Sequence, residues 1–351
     1  MARLLSQGFK AGLLAGMATL AILEGRALLF RIGRWLLPLV AAMVLVPAYA
    51  QQQQELKFRS GSVQQPGIYL DGINKFAKLM NERTKGKVQI EVFCCNQLGG
   101  ERQIMDGVKL GTMGIGVIGA TGSPIYDLLF MPFLFRDLEH AQKVVNGPVG
   151  TKWQEDFYKQ TGVRQIGYVI NGSRVFLTNK RMINSPADAK GMKIRAPEIP
   201  VIVSSLRALG ASPVVIAAPE LYTALQQGTA DGWEGPLAFM TDNKHWEVAK
   251  NLALVEWIFS VNSLIVNDDI WRKMTPETQK IARDTWKEVA AEMTQREWAK
   301  QGELVEIFRK NGVEIAKPAV GPFQEATKDV WKQFAPKVWG NGVYEKIQAT
   351  R

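Results

Sequence analysis

Between residues 190 and 236 the hydrophobic pattern switches repeatedly between short runs and helical spacing. Lys193, Ile194, Arg195 and Ala196 read as a short strand closed by Pro197, and residues 200–209 as an apolar-rich helix ended by Gly210. Val214, Val215 and Ile216 form a continuous apolar run, which predicts a buried strand. Pro219 and Glu220 open a second helix, and Gly228 follows its last turn. This order of strands and helices predicts an α/β fold. Open α/β sheets bind ligands beyond the carboxyl ends of their strands, so Arg195, a cation at a strand end, sits where an anion site is expected.

The rest of the chain continues the alternation. A strand begins at 56–60, and Gln65-Pro66-Gly67 turns into a helix with Ile73, Phe76, Leu79 and Met80 on one face. Val88, Ile90 and Val92 alternate as a strand, a turn at 97–101 leads into a helix through Leu110, and a glycine-threaded strand follows at 114–119. An apolar loop at 131–135 precedes helices at 138–145 and 150–161. A strand at 163–170 is separated by a turn, Asn171-Gly172-Ser173-Arg174, from a second at 175–178. After the central stretch come a helix near 237–252, a strand at 263–268 and a long helix. Thr275 caps that helix, Pro276 occupies its first turn and Asn311-Gly312 ends it. A strand at 313–316 and helical sequence complete the chain.

Composition refines this picture. A chain of 351 residues, 46% hydrophobic and 22% charged, can build two lobes with real cores. The first 50 residues hold five Lys/Arg and one acid, an apolar stretch at 35–46, and Ala48-Tyr49-Ala50 before a glutamine run. Together these predict a secretory signal, residues 1–50, cleaved after Ala50. The apolar stretch is short for a membrane span. A second apolar run at 11–23 leaves two alternatives, a translation start downstream of Met1 and an N-terminus kept as an anchor. Without the leader, 43 basic residues fall to 38 and 33 acidic residues to 32, a net charge of +6. These charges are interleaved, which suits an export product that is either simply soluble or favours anions, and gives no clustered basic face for nucleic acid. The two cysteines, Cys94 and Cys95, are adjacent. Neighbouring Cα atoms stand ~3.8 Å apart, below the ~4.4–6.8 Å usual for a disulfide, so two small thiols at a strand end are expected. A vicinal disulfide in an oxidising compartment is the alternative.

Catalytic chemistry is not indicated. His140 and His245 lie far apart, outside any metal-ligand spacing, and read as surface histidines. No G-x-S-x-G elbow or Walker A loop occurs, and the carboxylates read as solvated helix faces. Residues 114–119 match G-x-G-x-x-G with Glu139 downstream, but a dinucleotide fingerprint follows a strand and opens a helix, whereas here a helical stretch precedes glycines set within a strand. No cofactor or metal is expected.

The central stretch also carries family motifs. K-G-x-K-I-R-x-P, A-L-G-A-x-P, E-L-Y-T-A-L-Q-x-G and D-G-x-E-x-P occur in that order, with weaker matches from Lys57 almost to the C-terminus. In these the chain resembles the solute-binding subunits of TRAP (tripartite ATP-independent periplasmic) transporters, the DctP type. The resemblance implies a two-lobed α/β periplasmic binding protein with strand exchange between lobes and a long interlobe helix. Residues 51–171 with 262–300 would form one lobe, and 172–261 with 301–351 the other. It further implies a periplasmic monomer that captures an organic acid and delivers it to a sodium-coupled TRAP membrane permease.

Arg195, in K-I-R, is then the carboxylate clamp, a role for which a planar guanidinium fork is suited and a lysine is not. The resemblance also implies that Arg174 points to the ligand, that Glu101 is the acid of the Q-L-G-x-[DE]-R block beside the cleft, that Ile118 and Gly119 form cleft wall, and that Trp257 approaches it. The family commonly has D-G-Q-E-N-P, whose asparagine touches the ligand. Here Gly235 removes that amide and is expected to open space, and Trp233 brings a ring that either stacks on a ligand or fills the hinge. Both changes point away from a small C4-dicarboxylate and towards a bulkier or more apolar acid. Alternative readings are a periplasmic co-receptor for a sensor protein, and a secreted NAD-dependent oxidoreductase using residues 114–119.

Overall fold

In a computed structural model, residues 55–119 and 122–351 are described; the leader and cleavage site predicted at 1–50 lie outside the described residues. Among the described residues, nine strands form one mixed sheet: β1 Leu56–Ser62, β2 Val88–Phe93, β3 Ile115–Ile118, β4 Arg164–Thr178, β5 Lys193–Ala196, β6 Ser212–Val215, β7 Gly232–Pro236, β8 Asn251–Val266 and β9 Glu314–Ala316. Their order is β2-β1-β3-β8-β4-β7-β5-β6, with β9 beside β8. Four helices position the site: α1 Ile68–Arg83, α2 Glu101–Leu110, α3 Leu237–Asp242 and α4 Pro276–Lys310.

The antiparallel pair β4–β8 joins the two halves of the sheet. It runs from Arg164 opposite Val266 to Thr178 opposite Asn251. One end of β8 pairs with β3, and the far end of β4 pairs with β7. Sequence patterning predicted a turn at 171–174 and a helix through 252, and the structure corrects both. Gly172 adopts φ +73°, and a register shift between Ile170 and Ser173 absorbs the extra residues as a bulge inside one continuous strand. The helix after Pro236 ends at Asp242, and β8 begins at Asn251.

Side chains alternate across the strands, so the sheet feeds two cores. Val175, Leu177, Leu264 and Val266 enter one, whereas Phe176, Ile170 and Ile265 enter the other. The predicted buried strand at 214–216 is in fact edge strand β6, with Val215 56% exposed. Its apolar run could not reveal that, among the described residues, no strand pairs with its outer side.

Helix α4 begins as predicted: Thr275 Oγ1 accepts the Thr278 N–H at 3.2 Å, and Pro276 occupies the first turn. Over 35 residues it buries Trp286, Val289 and Met293 against α1 and the sheet. Two glycines make room for it. A Cβ at Gly72 would overlap the Met293 side chain, and one at Gly167 the Trp286 ring. Trp286 also meets Phe76 edge to face, with centroids 5.5 Å apart.

Two further expectations are corrected. Cys94 and Cys95 form a vicinal disulfide. After β2 the chain turns through left-handed backbone at Cys95 and Asn96, with φ +61° and +64°, and this local geometry overrides the average spacing argument. The turn is tied to β1 and the segment after it: the Cys95 N–H donates to Gln64 O at 3.1 Å and the Asn96 N–H to Ser62 O at 3.4 Å. His140, expected at the surface, is buried. Its Nδ1 accepts the Arg136 N–H at 3.1 Å, so the proton sits on Nε2, which donates to Ile347 O at 2.8 Å and holds the C-terminal helix.

Two acids, Glu297 and the half-buried Asp242, lie where α4 meets α3 and the β4 bulge. Glu297 is fully buried, accepts from Gln301 Nε2 at 3.1 Å, and lies so near Gly172 that a Cβ there would stand 2.8 Å from Glu297 Oε1. Burial, and then Asp242, push the Glu297 carboxyl up to about 7; burial, and then Asp71, push Asp242 up to about 7. Both folded-state values exceed the ordinary carboxylate range. The stability these groups contribute is therefore complete below about pH 4 and lost as pH rises through 7. Denaturant titrations at pH 5 and pH 8 should show this loss. Glu297→Gln should flatten the pH dependence, removing on the order of 2–3 kcal/mol of it. An unchanged slope in that variant would contradict the assignment. Gly167→Ala, which forces a methyl into the Trp286 ring, should lower unfolding free energy by about 1–3 kcal/mol at either pH.

Candidate functional site

Strand β5 ends at Ala196, just before Pro197, and its parallel neighbours β6 and β7 place Arg195 opposite Val214 and Trp233. Arg195 is only 5% exposed. Its Nε donates to Ile216 O at 2.8 Å, and its guanidinium carbon lies 5.8 Å from the centroid of the Trp233 ring. Among the described residues nothing hydrogen-bonds to its Nη1 or Nη2. Burial, and then the nearby Arg174, bring its pKa down to about 10, so the group stays cationic at neutral pH. A desolvated cation with a free planar fork is a receptor for a carboxylate. It lines a cavity of about 60 Å³.

Arg174 lines the same cavity but is already engaged. Its Nε and Nη2 donate to Glu234 Oε2 and Oε1, each at 2.6 Å, and Nη2 also meets Glu234 O at 3.0 Å. Nη1 lies 3.5 Å from Ser260 Oγ. The register of β4 against β7, Arg174 opposite Pro236 and Phe176 opposite Glu234, brings this pair together. With Arg174 6% and Glu234 0% exposed, each charge depends on the other. The glutamate of the D-G-x-E-x-P loop thus neutralises the second arginine.

The loop departs from the sequence expectation in another way. Gly235 opens no space, because a Cβ there would overlap the six-membered ring of Trp233. The indole occupies what the glycine vacates. Trp233 is 1% exposed and forms cavity wall, and it meets Phe239 and His245 edge to face at 5.9 and 5.0 Å. His245, read from sequence as a surface residue, is buried behind this ring. Burial, and then the Arg195 charge, bring its pKa down to about 3, so its imidazole is neutral near pH 7.

The opposite wall comes from α2 and β3. Glu101, first residue of α2, accepts the Gly119 N–H on Oε1 at 2.6 Å, and both residues line the cavity. A side chain at 119 would crowd Asn262 Oδ1 at 2.9 Å and Glu101 Oε1 at 3.2 Å, so this close approach requires glycine. The other glycines of the 114–119 segment serve packing: Gly114 faces Phe58, and Gly116 faces Ile104 of α2. No helix opens directly from this strand's described residues.

Five of the eight sequence-derived site residues therefore meet at one cavity: Arg195, Arg174, Glu101, Gly119 and Trp233. Gly235 shapes it from behind, through the ring. Ile118 and Trp257 do not line it; both are core residues, and Trp257 packs on Phe176 at 5.1 Å. Sequence reading missed the polar lining, Gln64, Asn171, Ser260 and Asn262, and the apolar lining, including Phe130, Pro197, Ile199 and Phe239. Ser260 and Asn262 did leave a signal, two polar residues at spacing two inside a mostly apolar strand, though Ser263 beside them blurs it. Asn171 left none, because the bulge that buries it reads as a turn.

Comparison with known proteins identifies the family. Residues 61–337 match the DctP family model, described as bacterial extracellular solute-binding protein, family 7. A solute-binding protein of Roseobacter denitrificans is 33% identical over 243 residues, 68% of this chain and 74% of that protein. A TRAP periplasmic solute-binding protein of Polaromonas, solved bound to D-erythronate, is 28% identical with a TM-score of 0.80, covering 85% of this chain and 99% of that one. Another from Sulfurospirillum deleyianum, with bound succinate, is 27% identical with a TM-score of 0.79, covering 85% of this chain and 100% of that one. The chain belongs to the DctP family of TRAP-type periplasmic solute-binding proteins.

Proposed function

We propose that this chain captures an organic acid by clamping its carboxylate on the Nη1 and Nη2 of Arg195, and then presents the liganded form to a TRAP membrane permease. The observation that carries this reading is the buried Arg195 guanidinium, whose outer nitrogens have no protein partner among the described residues. The two solved relatives hold D-erythronate and succinate, both carboxylates. Glu101, Gly119 and Trp233 surround the ligand in this reading, while Arg174 acts on it indirectly by fixing Glu234 and the β4–β7 register. The division into lobes at 171/172 and 261/262 belongs to the same proposal. The Ile170–Ser173 register shift in β4 adjoins the first of these boundaries and is a natural place for bending. The mature protein, released after Ala50, works as a periplasmic monomer.

A thermal-shift screen of the protein against organic acids tests the clamp. Acids that bind only the folded state raise the melting temperature, by an amount equivalent to about 2.7 kcal/mol at 100 times Kd. Arg195→Ala should weaken any such acid by at least about 100-fold, since it removes one partner of a buried charge pair. An acid whose affinity survives Arg195→Ala would place the clamp elsewhere. Glu234→Gln should behave differently, lowering unfolding free energy by about 3–5 kcal/mol because it leaves Arg174 buried and without its anion. Unaltered stability in that variant would show that the pair does not hold β4 to β7.

A further inference from the structure

The cysteine pair after β2 sits between two pieces of the cavity wall. On one side its turn is bonded to the segment that follows β1, where Val63 and Gln64 line the cavity. On the other it leads into α2, whose first residue, Glu101, lines the cavity too. Resting on the reading of that cavity as an acid site, we infer that the Cys94–Cys95 disulfide is a redox-sensitive positioning element. Oxidised, it holds this wall in its binding form; reduced, it releases the wall and weakens the acid.

The ladder between β1 and β2 ends where Gly61 stands opposite Phe93, and the turn continues the connection beyond it. The Cys95 N–H donates to Gln64 O and the Asn96 N–H to Ser62 O. Gln64 also donates its own N–H to Ser62 Oγ at 3.1 Å, so both backbone groups of this cavity residue are fixed, one of them by Cys95. These bonds need left-handed backbone at 95 and 96. Asparagine tolerates that conformation, whereas the Cβ of a cysteine crowds the following carbonyl. A bond between the two neighbouring side chains closes a small ring and restricts the backbone it spans. Opening the ring leaves Cys95 free to relax towards extended backbone, which turns its N–H away from Gln64. The same turn sets the entry to α2. Cys94 O accepts the Gln97 N–H and Asn96 O the Gly99 N–H, each at 2.9 Å, just ahead of the helix whose Glu101 accepts the Gly119 N–H.

Both cysteines are half-buried rather than enclosed, and the chain holds no others. A small dithiol is the reductant this site can meet. One of its thiolates attacks a sulfur of the pair, the S–S bond breaks, and the second thiolate displaces the mixed disulfide. Two electrons and two protons pass to Cys94 and Cys95, and the reductant leaves as its own disulfide.

Calorimetric titration of D-erythronate and of succinate, into oxidised protein and into protein reduced with dithiothreitol, reads the coupling. The reduced form should bind at least about tenfold more weakly, because its wall is no longer preorganised. Coupling is reciprocal, so saturating acid should shift the thiol–disulfide equilibrium towards the disulfide by the same factor, about 30 mV for each tenfold. Hydrogen exchange at the Cys95 and Asn96 amides should quicken on reduction. Two double variants separate the turn from the bond. Cys94→Ser with Cys95→Gly, where glycine accepts left-handed backbone, should bind within about threefold of the oxidised protein. Cys94→Ser with Cys95→Val, whose branched side chain resists that conformation, should bind like the reduced protein. Neither should respond to dithiothreitol. Should a variant fail to fold, the two forms of the unaltered protein already decide. Equal or tighter binding by the reduced form, or unchanged exchange at Cys95, overturns the inference and leaves the Arg195 clamp standing. If neither acid binds either form, the acid-binding reading fails and this inference with it.

Discussion

Two buried guanidinium groups face one small cavity, and the fold can hold them there because Glu234 neutralises one of them. Like charges brought together out of water repel strongly, and each is also deprived of hydration. The Arg174–Glu234 pair removes half of that problem with a two-pronged contact between β4 and β7. It also sets the register that carries Trp233 to the wall. What remains uncancelled is the Arg195 charge, and that residue is what gives the cavity a purpose. The electrostatics of binding and the alignment of the central strands are therefore one arrangement seen from two sides.

The wider architecture serves the same place. Strands β4 and β8 contribute cavity residues near their midpoints, Asn171 and Arg174 from one, Ser260 and Asn262 from the other. Because both strands continue into either half of the sheet, the cavity floor is made of paired backbone rather than of loops. Helix α4 packs along this ladder, and Glu297 on α4 reaches the bulge beside Asn171. The floor is thus braced from behind by a side chain whose charge state changes near neutrality.

Much of this was legible in the sequence, and the failures share a cause. Elements with local signals were readable: the cap and first-turn proline of α4, the alternation in β2, the strand–helix order around Arg195. The α/β class and the main cation followed from these and from ordered motifs. Features that depend on a distant partner were not readable. Val214 to Ile216 looks buried until the sheet order puts it at an edge. Gly172 reads as a turn until β8 is seen to pair on both sides of it. His140 and His245 look like surface residues because what buries them, the C-terminal helix and the Trp233 ring, lies elsewhere in the chain. That Glu234, sixty positions on, pairs with Arg174 was equally unreadable, because nothing in the neighbourhood of the arginine announces it.

The contact between Trp233 and Gly235 binds two positions into one evolutionary variable. A chain that gains a side chain at the position of Gly235 must give up the indole two residues earlier, since both would fill the same volume. The reverse also holds: a tryptophan can enter only where the later position is already glycine. Divergence of ligand preference at this loop therefore cannot proceed by independent single steps, and paired substitutions at these two sites should mark the branch points between homologues of different specificity.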